Sequence, residues 1–315
     1  MRILVTGGLG FIGSNFITWM LENTSDATIL NIDRGDYCSN PNNVTPDPRY
    51  KYVKGDVIDT CHMKTIFEVF QPDVVVHFAA QSHVDNSFEC PLQFTKDNIL
   101  GTHALIHVAN EYGKLSKFIH ISTDEVYGEV SDNEISSEKS LLNPTNPYAA
   151  SKAGAEFIVK SYGHSFKFPW IITRGNNVFG PKQYPEKLVP SFINKILKGA
   201  PCTIHGVGNN TRNFVYVDDV SRAIYCILQK GEVYKTYNIG TNNEYNTMQI
   251  FEKLKSFMDP NASYELVKDR PFNDMRYCID STELQKLGWS ESVSFDEGLK
   301  KTIQWYGENS KWWSA

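Results

Sequence analysis

Short apolar runs punctuate the first half of the chain: RILVT at Arg2–Thr6, TILNI at Thr28–Ile32, YKYVKG at Tyr50–Gly55, DVVVHFAA at Asp73–Ala80 and KFIHIS at Lys117–Ser122. They are rich in β-branched residues and bounded by turn formers, which predicts strands. Segments of helical periodicity lie between them, including Phe11–Leu21 and Phe94–Tyr112. The runs are apolar on both faces, so the sheet they build must be covered on both sides. Strands alternating with helices in this way predict an α/β fold around a doubly wound parallel sheet. A sixth strand is predicted at PWIIT, Pro169–Thr173.

The texture changes after Arg174. GNNVFGPKQYPEKLVP is rich in Gly, Pro and Asn, and predicts loops with one helix beginning near Pro185. RNFVYVDDVSRAIYCIL then predicts a strand leading into a helix, and TYNIG another strand. The expected organisation is a nucleotide-binding domain over 1–173, to which 214–240 returns. A smaller, mostly C-terminal substrate lobe would comprise 174–213 and 241–315. The crossings are loops, so a cleft between the lobes is the expected ligand site.

Composition narrows the function classes. The chain has 315 residues and a formal net charge of -5, which gives no electrostatic footprint for nucleic acid. No apolar run approaches the roughly 20 residues that span a bilayer. MRILVTGG enters a strand at once and leaves no room for a signal peptide, so the expected address is cytoplasmic. The six cysteines, Cys38, Cys61, Cys90, Cys202, Cys226 and Cys278, form no C-x-x-C and read as free thiols. His103 and His107 sit four apart in a helical stretch, but no third ligand follows at matching spacing, so no metal is expected.

The first strand runs into GGLGFIG, in which Gly7, Gly10 and Gly13 frame Phe11 and Ile12. Glycines here permit a tight turn and close approach of backbone to a pyrophosphate, which the following helix N-terminus would receive. Asp33 stands 20 residues past Gly13 at the end of the second strand, where a carboxylate holds the adenosine ribose hydroxyls and repels a 2′-phosphate. The pattern predicts a Rossmann fold binding NAD. Arg34 follows directly and weakens the exclusion of NADP, because an arginine there can pair with a 2′-phosphate. Asp56 and Val57 end the third strand. Asp56 is a candidate for the adenine amino group or, alternatively, the cap of the next helix. Ala79 and Ala80 are small enough to let the cofactor lie against backbone.

NPYAASKAGAE carries Tyr148 and Lys152 four apart on one helix face. A phenol titrates near 10, and a nearby ammonium and an oxidised nicotinamide would lower that value. Tyr148 would then accept the proton of a substrate hydroxyl that Thr123 helps to hold. STDEVYGE adds two adjacent carboxylates, Asp124 and Glu125, for which a simple alcohol dehydrogenase has no use.

At this point the chain resembles the extended short-chain dehydrogenase/reductase family, and within it the nucleotide-sugar 4,6-dehydratases. STDEVYGE, NPYAASKAGAE, GPKQYPEKLVP, TRNFVYVDD and YNIGT carry that resemblance across nearly the whole chain. DYCSN, TRGNNVFGP and RPFNDMRY resemble the UDP-glucose 4,6-dehydratases of rhamnose synthesis more than the bacterial dTDP-glucose enzymes. The resemblance implies three steps. Tyr148 deprotonates the C4 hydroxyl as hydride passes to NAD; Glu125 removes the C5 proton while Asp124 protonates the departing C6 hydroxyl; hydride returns to C6 and a proton is restored at C5. It further implies that Asn177, Lys187, the Leu188 backbone, Arg212 and Arg270 hold the nucleotide diphosphate end, with Asn273 nearby. Ser82 and His83 would line the sugar pocket, although His83 serves a core backbone group equally well. Gln81 stands where the bacterial enzymes carry glutamate. The helices Phe94–Tyr112 and Pro147–Phe166 would pair two copies into a homodimer, or simply face the sheet. A dTDP-glucose substrate, a sugar 4-epimerase and a non-enzymatic nucleotide sensor are the competing readings; the epimerase has no use for Asp124 and Glu125, and the sensor none for Tyr148 and Lys152.

Overall fold

The computed structural model describes residues 1–269, 272–310 and 312. Seven parallel strands form the large sheet: β1 (Arg2–Thr6), β2 (Thr28–Asp33), β3 (Tyr50–Lys54), β4 (Val74–His77), β5 (Lys117–Thr123), β6 (Trp170–Gly175) and, after three short strands, β10 (Lys235–Ile239). Those three are β7 (Asn177–Phe179), β8 (Cys202–His205) and β9 (Thr211–Tyr216); β11 (Glu244–Asn246) and β12 (Tyr264–Val267) follow β10. The order across the large sheet is β3-β2-β1-β4-β5-β6-β10. It reverses between β1 and β4, and the crevice beyond the carboxyl ends of such strands is where ligands bind.

Helices cover both faces, as the continuous apolar strands require. On one face α1 (Phe11–Asn23) presents Phe16, Ile17 and Met20 to Ile3, Val5, Val74 and Val76. On the other, α2 (Thr60–Phe70) supplies Met63 and Phe67 to Leu4, Leu30 and Val75. The short helices α3 (Val84–Glu89) and α4 (Pro91–Phe94) precede α5 (Gly101–Tyr112), and α6 (Pro147–Phe166) follows it; α5 and α6 complete this layer through Leu105, Ile106 and Val159.

A separate apolar cluster holds the remaining elements. It joins α7 (Leu188–Leu197), α9 (Thr247–Met258) and α11 (Phe295–Glu308) to β7, β8 and β9 through Phe179, Phe192, Phe214, Phe251 and Phe295. Here β7, β9 and β11 form a three-stranded sheet, and β8 pairs with β12. Between these elements α8 (Val217–Lys230) packs with Val220, Ile224 and Ile227 onto the large sheet beside α1, and the small helix α10 (Thr282–Lys286) adds Leu284 there.

Three elements differ from the sequence expectation. The helix expected near Pro185 begins at Leu188, because Lys187 has extended backbone and forms its cap. The helix expected at Phe94–Tyr112 contains a π-helical stretch at Thr95–Leu100, a local widening of the kind found at functional sites. The return to the large sheet expected at Phe214 falls inside β9, which pairs with β7 and β11.

Candidate active site

The carboxyl ends of β1, β2, β4 and β5 open on one cleft. At the end of β1, Gly7 adopts φ +74°, and a Cβ there would lie 2.6 Å from the Ala79 backbone nitrogen. A Cβ on Gly13 would meet the Gly7 carbonyl at 2.5 Å. No side chain is admitted at either position, and Gly10, the cap residue of α1, has none to offer, so the first N–H groups of the helix are without a side-chain cap at the cleft. An uncapped helix end lined by glycine backbone suits a pyrophosphate. Phe11 and Ile12 line the same end.

Asp33 ends β2. Its Oδ2 accepts from the Leu9 N–H at 3.0 Å and its Oδ1 from the Gly35 N–H at 2.9 Å. These bonds fix the carboxylate plane and leave acceptor positions for two vicinal hydroxyls. Burial raises its pKa above the ordinary value, against those backbone bonds. Asp56, Val57, Ala79 and Ala80 line the same cleft. The alternative role of Asp56 as a helix cap belongs instead to Asp59, which accepts from the His62 N–H at 3.0 Å. These residues fit a dinucleotide.

At the far end of the cleft are Tyr148 and Lys152. Asn146 caps α6 by accepting from the Ala149 N–H at 2.8 Å, and Pro147 occupies the first turn. The cap aims the first turn, and so Tyr148, at the end of β5. Lys152 donates to the Ile121 carbonyl at 2.7 Å. Burial lowers its pKa to about 8. The Tyr148 phenol is buried. Burial, with the Glu125 and Asp124 charges, raises it above the ordinary phenol range, and Thr123 opposes this by a hydrogen bond.

Thr123 ends β5 and caps the 3-10 turn Asp124–Tyr127, accepting from the Glu125 N–H at 3.3 Å. Asp124 is 2% exposed. Its Oδ2 accepts from Asn176 Nδ2 at 2.8 Å, and Asn176 is oriented by accepting from the Thr241 N–H at 3.1 Å. Burial raises Asp124 to about 7, with Glu125 adding to the rise and Asn176 opposing it. Glu125 is half-buried. It accepts from Asn146 Nδ2 at 3.1 Å. Burial raises its pKa, while Asn146, Arg212 and Lys187 hold it down. Two neighbouring carboxyls with different partners are what a paired acid and base require.

The remaining candidates are more dispersed. Ser82 and Lys187 line the cleft, and Lys187 Nζ donates to the Ser82 carbonyl at 2.7 Å. His83 Nδ1 lies 3.0 Å from Asn86 Oδ1. Leu188 opens α7, and Asn177 is exposed on β7. Arg212 stacks over Tyr277 with its guanidinium 4.4 Å from the ring centre, and donates to Asn273 Oδ1 at 3.3 Å and the Asp274 carbonyl at 2.9 Å. Arg270 lies outside the described residues. The possible metal face dissolves into ordinary partners: His103 meets the Tyr162 hydroxyl at 3.2 Å and His107 meets Glu111 at 3.3 Å.

Several site residues escaped the sequence reading. Asn146 carried a signal, an asparagine immediately before a helical proline. Asn176 carried none; its neighbour Asn177 was chosen, and the two point to opposite sides of the chain. Glu156 and Arg174, 0% and 1% exposed, form a bidentate pair between α6 and β6. Arg174 also donates to the Tyr127 hydroxyl at 2.7 Å, on the turn that carries the two carboxyls.

The family model for GDP-mannose 4,6 dehydratase matches residues 4–302. A dTDP-D-glucose 4,6-dehydratase of Mus musculus is 46% identical, over 99% of this chain and 90% of that protein. A trifunctional UDP-glucose 4,6-dehydratase/UDP-4-keto-6-deoxy-D-glucose 3,5-epimerase/UDP-4-keto-L-rhamnose-reductase of Arabidopsis thaliana is also 46% identical, over 99% of this chain but 48% of that longer protein. Among solved structures, DesIV of Streptomyces venezuelae, a dTDP-glucose 4,6-dehydratase with NAD and TYD bound, superposes with a TM-score of 0.94 at 38% identity, covering 99% of each chain. A glycine-lined cleft at the sheet's switch point, a tyrosine–lysine helix beside the Asp124–Glu125 pair, and relatives that match nearly the whole of this chain agree: this chain belongs to the family of the nucleotide-sugar 4,6-dehydratases.

Proposed function

We propose that this chain, a hydro-lyase, converts UDP-glucose to UDP-4-keto-6-deoxyglucose with NAD held in the cleft throughout. The observation that carries the reading is the Asp124–Glu125 pair against Tyr148. Burial raises Asp124 to about 7, so at neutral pH it carries its proton in about half of the molecules, whereas Glu125 sits under the positive influence of Arg212 and Lys187. Asp124 is therefore the donor to the departing C6 hydroxyl and Glu125 the acceptor of the C5 proton. Tyr148, with Thr123 bonded to it, takes the C4 hydroxyl proton. Lys152 holds the helix against β5 and lends positive charge to the cofactor's side of the cleft. NAD would be held by the glycine loop, Asp33 and the Ala79–Ala80 backbone; it would supply the hydride acceptor and donor for the sugar and a positive charge that favours the Tyr148 phenolate, while Glu125 gives the proton back to C5. A 4-epimerase would leave the carboxyl pair without work.

The UDP assignment rests on DYCSN and RPFNDMRY, since identity to the dTDP-type and UDP-type relatives is equal at 46%. dTDP-glucose is the second reading. In this reading 1–173, with α8 and β10 returning to it, is the NAD-binding domain, and the rest of the chain supplies the nucleotide-sugar lobe, in which Asn177, Lys187, Leu188, Arg212, Arg270 and Asn273 hold the nucleotide diphosphate. Ser82 and His83 face the sugar. Incubated separately with UDP-glucose and dTDP-glucose without added cofactor, the protein should remove one water from UDP-glucose. The rate should fall as pH rises through about 7, where Asp124 loses the proton it donates. Turnover of dTDP-glucose alone moves the assignment to the second reading; galactose without water loss ends both.

A homodimer is part of the same proposal. Leu92 and Phe157 are 83% and 61% exposed on helices that pack beside each other, and Leu100 and Phe166 are exposed with them. A second copy laid along this layer would cover all four. Sedimentation at micromolar concentration should give twice the monomer mass; monomer alone refutes it. A cytoplasmic address accords with the unpaired state of all six cysteines, and fractionation with a cytosolic marker checks it.

A further inference from the structure

Arg34 follows the ribose-binding Asp33, at a place where an arginine accommodates the 2′-phosphate of NADP. Its surroundings give it a different role. Nε donates to Asp36 Oδ2 at 2.8 Å, and Nη2 to Asp36 Oδ2 at 2.5 Å and to Asp97 Oδ2 at 2.6 Å. Nη1 reaches Asp97 Oδ1 at 3.0 Å and Asp56 Oδ2 at 3.3 Å. A guanidinium has five N–H groups, and these five bonds engage them all.

Asp97 is the centre of this arrangement. Its side chain is 7% exposed. It meets Arg34 in the two-pronged geometry that is strongest for this pair. Two further donors hold it in place, Gln81 Nε2 at 3.0 Å and Gln93 Nε2 at 2.8 Å. It sits on the π-helical stretch, next to Asn98, which grips Gln81 by both its N–H and its carbonyl. Arg34 thus bonds Asp36, Asp56 and Asp97, and with Asp33 these carboxylates line the cleft.

We propose that Asp97, with Asp36, ties Arg34 away from the adenosine ribose, and that this tie acts beside Asp33 to select NAD over NADP. A 2′-phosphate would have to draw Arg34 out of charge-assisted bonds and settle among carboxylates; a 2′-hydroxyl needs only Asp33. Asp97 is thus a specificity residue, and the inference rests on the reading of the cleft as a dinucleotide site.

The test compares the full-length protein with D97N, R34L and the D97N/R34L double variant. Each is incubated with equal excesses of NAD and NADP and desalted, and its bound dinucleotides are released and quantified by mass spectrometry. D97N should raise the NADP-to-NAD ratio by about tenfold, the yield of one freed charge-assisted contact. The gain should vanish in D97N/R34L, which has no cation to free. R34L alone should keep the wild-type preference. An unchanged ratio in D97N, or a gain that persists without Arg34, overturns the inference. Should D97N fold poorly, D36N loosens the same guanidinium from its other side and must shift the ratio in the same direction. Failure of the unaltered chain to carry any dinucleotide would count against the reading of the cleft instead.

Discussion

Glu125→Gln is expected to lower product formation by about 10²–10⁴-fold, the range for loss of a positioned general base. The amide keeps the size of the side chain and its bond from Asn146, which sits 3.1 Å from the carboxylate. It removes the negative charge and the ability to take the C5 proton. Tyr148, Lys152 and the glycine loop are untouched, so C4 oxidation should proceed and then stall. Bound dinucleotide should remain, and the absorbance of reduced nicotinamide should accumulate on adding substrate. Turnover at the unaltered rate, or no reduced nicotinamide at all, would remove Glu125 from the role given to it.

Glu156→Gln is expected to destabilise the fold by ~3–5 kcal/mol, the usual cost of removing one partner of a buried ion pair. Arg174, 1% exposed, would keep its charge while losing its carboxylate. Its remaining partners are the Tyr127 hydroxyl at 2.7 Å and the Glu138 carbonyl at 3.5 Å. The ring of Tyr127 lies 4.6 Å from the guanidinium carbon. Because Arg174 connects α6 to the turn of Asp124 and Glu125, the variant should also lose activity beyond what unfolding removes. Urea titration with an unchanged m-value gives the stability. A loss under about 1 kcal/mol would show that the pair is solvated.

What the sequence made legible was local. The glycine loop, Asp33, the Tyr148–Lys152 spacing and the carboxylate pair each lie within one strand–turn–helix unit, and the structure brings them to one end of the large sheet. What it hid was long-range. Arg34 and Asp97 stand 63 positions apart, and nothing near Arg34 announces that its fork is occupied. Asp124 and Asn176 are 52 apart. Asn176 and Asn177 alternate along an extended chain, so one residue of register separates a buried partner from an exposed one. The short strands β7, β8, β11 and β12 were missed for the same reason: each has only three or four residues and is set by its pairing rather than by its own pattern. Spacing alone puts Lys152 on the Tyr148 face; that its ammonium also donates to the Ile121 carbonyl is set by packing.

The central claim is that a single bound cofactor moves one hydride within one sugar while Asp124 and Glu125 expel water. Nucleotide-linked glucose carrying deuterium at C4 tests it most directly. With no cofactor added, the product should lack one water and retain the deuterium, now at C6. A dehydrated product without the label would contradict internal return of the hydride, and a product that keeps its full mass would contradict the dehydration itself.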